Sequence, residues 1–129
     1  MADARLRSPL GRVRGFGSAK EGVNHWWGQR IAAVALVPLV LWFVSALIQH
    51  TGADRAVVLA WLHQPVTAVV MVLMLLVSFY HMALGVQVVI EDYVHREWSK
   101  ITLLVLNKFV AFALAAAGIF AVLRIAFQG

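Results

Sequence analysis

Residues 65–93, PVTAVVMVLMLLVSFYHMALGVQVVIEDY, decide the fold. They close a longer run, Ala56 to Ile90, that contains no Asp, Glu, Lys or Arg and ends abruptly at Glu91, Asp92 and Tyr93. From Pro65 to Ile90 there are 26 residues, and at about 1.5 Å of rise per residue a helix of that length crosses a hydrocarbon core of about 30 Å with some tilt. Pro65 suits a first helical turn, where an N–H would have no partner anyway. A lone imidazole, His81, sits well inside this run. A titratable group at membrane depth is costly and marks a candidate functional site.

Outward from this run, two further spans can be read. Ile31 to Ile48 is 18 residues without a charge and holds Pro38, expected to bend it. The third runs from about Ile101 to Leu123 and is interrupted by Lys108. Phe109 to Leu123 alone is too short to cross, so the helix must extend past Lys108 or Arg124. Lys108 is expected to snorkel to the interface or to face a polar cavity. The spans are therefore placed at about residues 30–49, 65–92 and 100–124, with residues 56–63 expected to lie along the membrane surface.

Composition agrees. Of 129 residues, 62% are hydrophobic and 13% charged, and mean hydropathy is +0.82, too little polar surface to coat a soluble globule and too few charges for disorder. The expected fold class is an all-α integral membrane protein of three transmembrane helices: a basic cytoplasmic segment, residues 1–24, followed by a membrane anchor domain, residues 25–129. The chain has no cysteine, which excludes disulfides, thiolate metal sites and cysteine nucleophiles.

Charge sets the orientation. Arg5, Arg7, Arg12, Arg14, Lys20 and Arg30 precede Ile31, Arg96 and Lys100 lie in the second connection, and Arg55 and Arg124 fall on the other side. The positive-inside rule then puts the N-terminus in the cytoplasm and the C-terminus in the periplasm. The N-terminal segment has no apolar core of its own and does not read as a cleaved signal peptide. Rich in Gly and Arg, it is expected to be extended and suits anionic lipid or a cytoplasmic partner protein. No nucleic-acid role is needed to explain the net charge of +5.

In the third span Ala113, Ala117 and Ala121 recur at four-residue spacing beside Ala116 and Gly118, a small-residue pattern that lets helices approach closely. Three short helices make a thin bundle, so enclosing a large cofactor calls for a partner membrane subunit.

Helical geometry connects His81 to the polar cluster. At 100° and 1.5 Å per residue, Gly85 lies one turn from His81 on nearly the same face, and Asp92 returns to that face about 16 Å further on. A glycine there leaves room for a flat macrocycle, and His is a common axial haem ligand whose site a second histidine from a partner can close. The alternative is a histidine hydrogen-bonded to a neighbouring helix, near Ser78 or Tyr80. Spacing alone leaves both open.

The segment His81-Met-Ala-Leu-Gly85-Val-Gln-Val-Val-Ile-Glu-Asp92-Tyr93 resembles the signature of the small hydrophobic membrane anchor subunit of succinate dehydrogenase, with Gly at +4 and Asp-Tyr at +11 and +12 from a haem-ligating His. Asn24-His25-Trp26-Trp27-Gly28-Gln29-Arg30 resembles the alphaproteobacterial and mitochondrial-type version of that subunit. The resemblance covers about residues 17–127. It implies that His81 ligates a haem b shared with a larger cytochrome b subunit, that Arg30 pairs with a haem propionate, and that Tyr93, beside Asp92, hydrogen-bonds a carbonyl oxygen of ubiquinone. Some relatives carry a histidine at the position of Asn24, so the resemblance leaves open whether Asn24 or His25 reaches a propionate. Trp26 and Trp27 read equally as interfacial anchors, as do Trp98 and His95. His25, His50 and His63, at span ends or loops, are expected to be solvated.

Two of these roles have independent physical grounds. A guanidinium at the cytoplasmic end of the first span suits bidentate contact to a carboxylate. A quinone reduced by two electrons takes up two protons, and a phenol beside a carboxylate at the end of a helix supplies donors close to water. No dinucleotide fingerprint, phosphate loop or nucleophilic constellation is present. The resemblance thus implies an anchor that is not an enzyme alone, in the cell inner membrane, assembled with a flavoprotein, an iron–sulfur protein and the cytochrome b subunit. Two rivals remain: an anchor of another haem-b oxidoreductase such as a fumarate reductase or a cytochrome b561-like protein, and a cofactor-free scaffold.

Overall fold

In a computed structural model that describes residues 20–128, the charge-poor stretches form three long helices and one short one. They are α1 (Lys20–Gln49), α2 (Arg55–Leu62), α3 (Pro65–Tyr93) and α4 (Glu97–Phe127). The long helices have 30, 29 and 31 residues and so extend about 44–46 Å, past a 30 Å core at both ends. All three are long and apolar enough to cross a membrane. α1 begins at Lys20, so the Trp-rich stretch expected to introduce the first span is already helical; the arginines of residues 1–19 lie outside the described residues. α4 runs straight through Lys108, as its length requires.

The connections follow from local chemistry. Pro65 occupies the first turn of α3, behind an extended Gln64. At the end of α1 the Thr51 hydroxyl donates to the Leu47 carbonyl, which the helix leaves open, and His50 Nδ1 lies 2.8 Å from the Ala46 carbonyl, which also takes the His50 backbone N–H. Gly52 then turns the chain at φ 78°, a left-handed conformation that costs glycine least. α2 folds back so that Trp61 stacks between Trp42 and His50, with ring centroids 5.9 and 4.7 Å away. His50, expected to be solvated, is therefore half-buried and part of this aromatic stack. Only residues 94–96 join α3 to α4, which makes those helices antiparallel neighbours.

α3 is central. It packs against α1 on one side and α4 on the other, whereas no Cα atoms of α1 and α4 come within 8 Å of each other. The buried apolar residues are small, Ala32, Ala46, Ala68 and Ala111, with Ile90, as expected where lipid gives no hydrophobic drive and close backbone approach does the work. Against α3, α4 presents Leu104, Asn107, Ala111, Ala115, Gly118 and Val122, all buried or half-buried and within about 80° of one another around the helix. Their spacings of three and four residues average the 3.6 of a helical turn and so keep one face toward α3. A Cβ on Gly118 would come within 3.2 Å of the Leu75 side chain, and Asn107 Nδ2 donates to the Ala83 carbonyl at 2.8 Å. The Ala113, Ala117, Ala121 stripe is not this seam: those three residues are exposed, because they lie up to about 120° around α4 from Asn107. Lys108 is exposed beside Val105, Phe109 and Phe112, on the outward face that snorkelling requires.

Candidate functional site

The crossing of α1 and α3 is built on two glycines. A Cβ on Gly28 would run into the Tyr80 hydroxyl and touch Leu84, and one on Gly85 would lie 3.6 Å from Gln29 Nε2. Residues 80, 84 and 85 of α3 thus face residues 28 and 29 of α1. Around the α3 axis His81 falls between Leu84 and Gly85, 60° from the one and 40° from the other at 100° per residue, so His81 faces α1. The space beside Gly85, expected to admit a flat ring, holds the Gln29 amide. Gln29 had no role in the sequence-based reading, because a contact between residues 56 apart leaves no local trace.

Three side-chain atoms among the described residues are buried without a hydrogen-bond partner: His25 Nε2, Gln29 Oε1 and His81 Nδ1. Gln29 and His81 both face the α1/α3 crossing, and His25 lies one turn before Gln29 on the same face of α1. Burying such groups unpaired costs about 1–3 kcal/mol each, so their accumulation at one crossing marks the place where the isolated chain is least complete. His25 is thereby half-buried rather than fully solvated. Ser78 and Tyr80, considered as partners for His81, do not satisfy its Nδ1.

Arg30, next in sequence to Gln29, is exposed, with its guanidinium carbon 5.1 Å from the centroid of the Trp26 ring. Trp26 is itself held edge to face by Trp27 at 5.0 Å. A cation–π contact with the ring face leaves guanidinium N–H groups available to bind a carboxylate.

Asp92 and Tyr93 are not part of this cluster. They end α3, about 16–18 Å along the axis from His81, and both are exposed, Tyr93 by 79%. Glu91, by contrast, is engaged: Gln87 Nε2 donates to its carboxylate at 2.9 Å, and Lys100 Nζ lies 3.4 Å from its carbonyl. His95 and Trp98 are exposed nearby. At the other end of α3, His63 is half-buried and lines an apolar groove of about 360 Å³ with Pro65, Val69 and Leu123.

As for metal ligation, no group of three or more His, Asp or Glu side chains that could hold an ion occurs among the described residues. Any group held by His81 would need its other ligands from outside the described residues. The buried, unpaired Nδ1 of His81 is consistent with an imidazole that ligates through Nε2.

Taken together, these features define a class: a polytopic helical membrane subunit with polar groups gathered at one helix crossing and one helix end. The family model for succinate dehydrogenase/fumarate reductase transmembrane subunits matches residues 4–116, and the chain belongs to that family. It is 33% identical to the succinate dehydrogenase hydrophobic membrane anchor subunit of Rickettsia bellii, over 91% of this chain and 94% of that protein. It is 28% identical to the protein of the same name from Paracoccus denitrificans, over 93% and 92%. A succinate dehydrogenase membrane anchor subunit of Reclinomonas americana is 28% identical over 74% and 82%. No solved structure matches the chain.

Proposed function

We propose that this chain is the membrane anchor of a succinate:ubiquinone oxidoreductase, supplying one axial ligand to haem b and part of the ubiquinone-reduction site. The observation that carries the haem assignment is the histidine at membrane depth whose Nδ1 is buried and unpaired at the α1/α3 crossing. His81 Nε2 would be the ligating atom, with a histidine of the cytochrome b subunit holding the other side. A haem b held there would supply one-electron transfer. Arg30, held on Trp26, presents its free N–H edge to a propionate.

Tyr93 binds ubiquinone by donating its phenolic hydrogen to a carbonyl oxygen. Asp92 beside it carries protons from water to that oxygen as the quinone is reduced to quinol. The exposure of both residues in the isolated chain suits a pocket completed by neighbouring subunits. The complex is placed in the cell inner membrane with the N-terminus and the Asp92–Tyr93 end cytoplasmic, where the iron–sulfur and flavoprotein subunits dock. Oxidation of succinate belongs to the flavoprotein, and this chain alone is not an enzyme.

In the purified complex, His81→Leu should abolish or strongly shift the b-type absorption of the reduced haem, and an unchanged spectrum would remove the axial assignment. Tyr93→Phe should slow quinone reduction about tenfold, the worth of one hydrogen bond of ~1.4 kcal/mol, and spare reduction of an artificial dye by the soluble subunits. Equal loss of both activities would indicate an assembly defect instead.

A further inference from the structure

The α1/α3 crossing contains a buried hydrogen-bond donor and a buried acceptor that lack partners on facing helices. His81 Nδ1 carries a proton whenever Nε2 is to bind a metal, and so needs an acceptor. Gln29 Oε1 is an acceptor without a donor. Gln29 already lies against α3, its amide nitrogen 3.6 Å from where a Gly85 Cβ would be. Because Cβ atoms tilt toward the N-terminus of their helix, that position overhangs the turn that begins at His81. The amide thus sits within one turn of the imidazole, and rotation about its last side-chain torsions exchanges which end is presented.

We propose that Gln29 is the positioning residue for His81: its Oε1 accepts the Nδ1–H, which fixes the tautomer, sets the ring orientation and leaves Nε2 free to ligate. The inference rests on His81 being the haem ligand. Gly85 has a second use here, since its missing side chain makes the space in which a residue of α1 reaches the ring. Partners of this kind tune a ligated histidine: the stronger the acceptor at Nδ1, the more basic the imidazole and the more the oxidised metal is favoured.

The test uses the whole purified complex with haem bound and reads the midpoint potential of the b-haem, together with the low-spin EPR signal of its oxidised form. Gln29→Glu places a carboxylate at Nδ1 and should lower the potential. Gln29→Leu removes the acceptor and should raise it. Asn107→Ala, which loosens the opposite flank of α3, should leave it unchanged. Succinate-to-dye activity should be the same in all three, because the soluble subunits are untouched.

Wild-type potentials and EPR signals in both Gln29 variants would overturn the inference, as would a shift in Asn107→Ala with none in Gln29→Glu. If Gln29→Leu does not assemble, Gln29→Glu, which preserves size, decides alone. Failure of the underlying haem assignment looks different: His81→Leu would then keep the wild-type spectrum and potential.

Discussion

The two sides of α3 meet their neighbours in contrasting ways. Toward α4 the seam is finished: Gly118 receives Leu75, Ala111 is buried, and the amide of Asn107 is satisfied by the Ala83 carbonyl. Toward α1, at the level of His81, the helices also approach on glycines, yet three polar atoms are left buried and unpaired. Both interfaces use small residues for close contact, and only one uses its polar groups internally. A seam that satisfies itself holds a fold together, whereas one that keeps donors and acceptors in reserve is a place for a ligand or a partner. The same helix therefore serves as scaffold on one flank and as site on the other.

This contrast can be broken by substitutions on either side. The largest effect is expected at Gly118→Leu, which overpacks a seam already tight against Leu75 and should cost about 1–3 kcal/mol, seen as a lower unfolding temperature of the solubilised complex. A wild-type temperature would mean that the α3/α4 seam is not close-packed. Asn107→Ala should cost less, about 0.6 kcal/mol, the typical worth of a hydrogen bond between membrane helices, and should leave the haem spectrum alone. Spectral change in that variant would erase the distinction between the two flanks. Gly85→Ala should have the smallest effect: its Cβ meets Gln29 at ordinary contact distance, and alanine's better helix propensity offsets the rest, so stability should stay within about 0.5 kcal/mol of wild type. A large loss of stability there, measured by the same thermal unfolding, would show that the crossing is as tightly filled as the α4 seam.

Much of this architecture is legible in the sequence for a physical reason: bilayer thickness sets helix length, and charge-free runs of that length have few alternatives. Pro65 falls in the first turn where its chemistry puts it, and α4 runs through Lys108 because the remainder is too short to cross. Helix pairing is less legible. Ala113, Ala117 and Ala121 have the spacing of a close seam, but α4 offers small residues on more than one face, and only the position of α3 selects Ala111 and Gly118. Asn107, an amide at membrane depth that needs a partner, marks the right face, and the sequence reading passed over it. At the site, His81 and Gly85 can be read from hydropathy and helical spacing; Gln29 cannot, because its role depends on the register between α1 and α3. His25 and His50 look like solvated loop or end residues in sequence and are half-buried in the fold, His50 through its stack with Trp61.

The absence of any close approach between α1 and α4 has a consequence for biosynthesis. As the chain emerges, α2 can meet only the far end of α1, through Trp61, and the end that holds Gly28 and Gln29 has no packing partner in its own polypeptide until α3 arrives, more than fifty residues later at Tyr80 to Gly85, a wait of several seconds at ordinary translation rates of about 5–20 residues per second. α4 cannot shorten that wait, since it docks on the opposite flank. During the interval the first helix carries His25 and Gln29 unpaired, which makes it the segment most dependent on insertion machinery, on lipid headgroups, or on a companion subunit already in place.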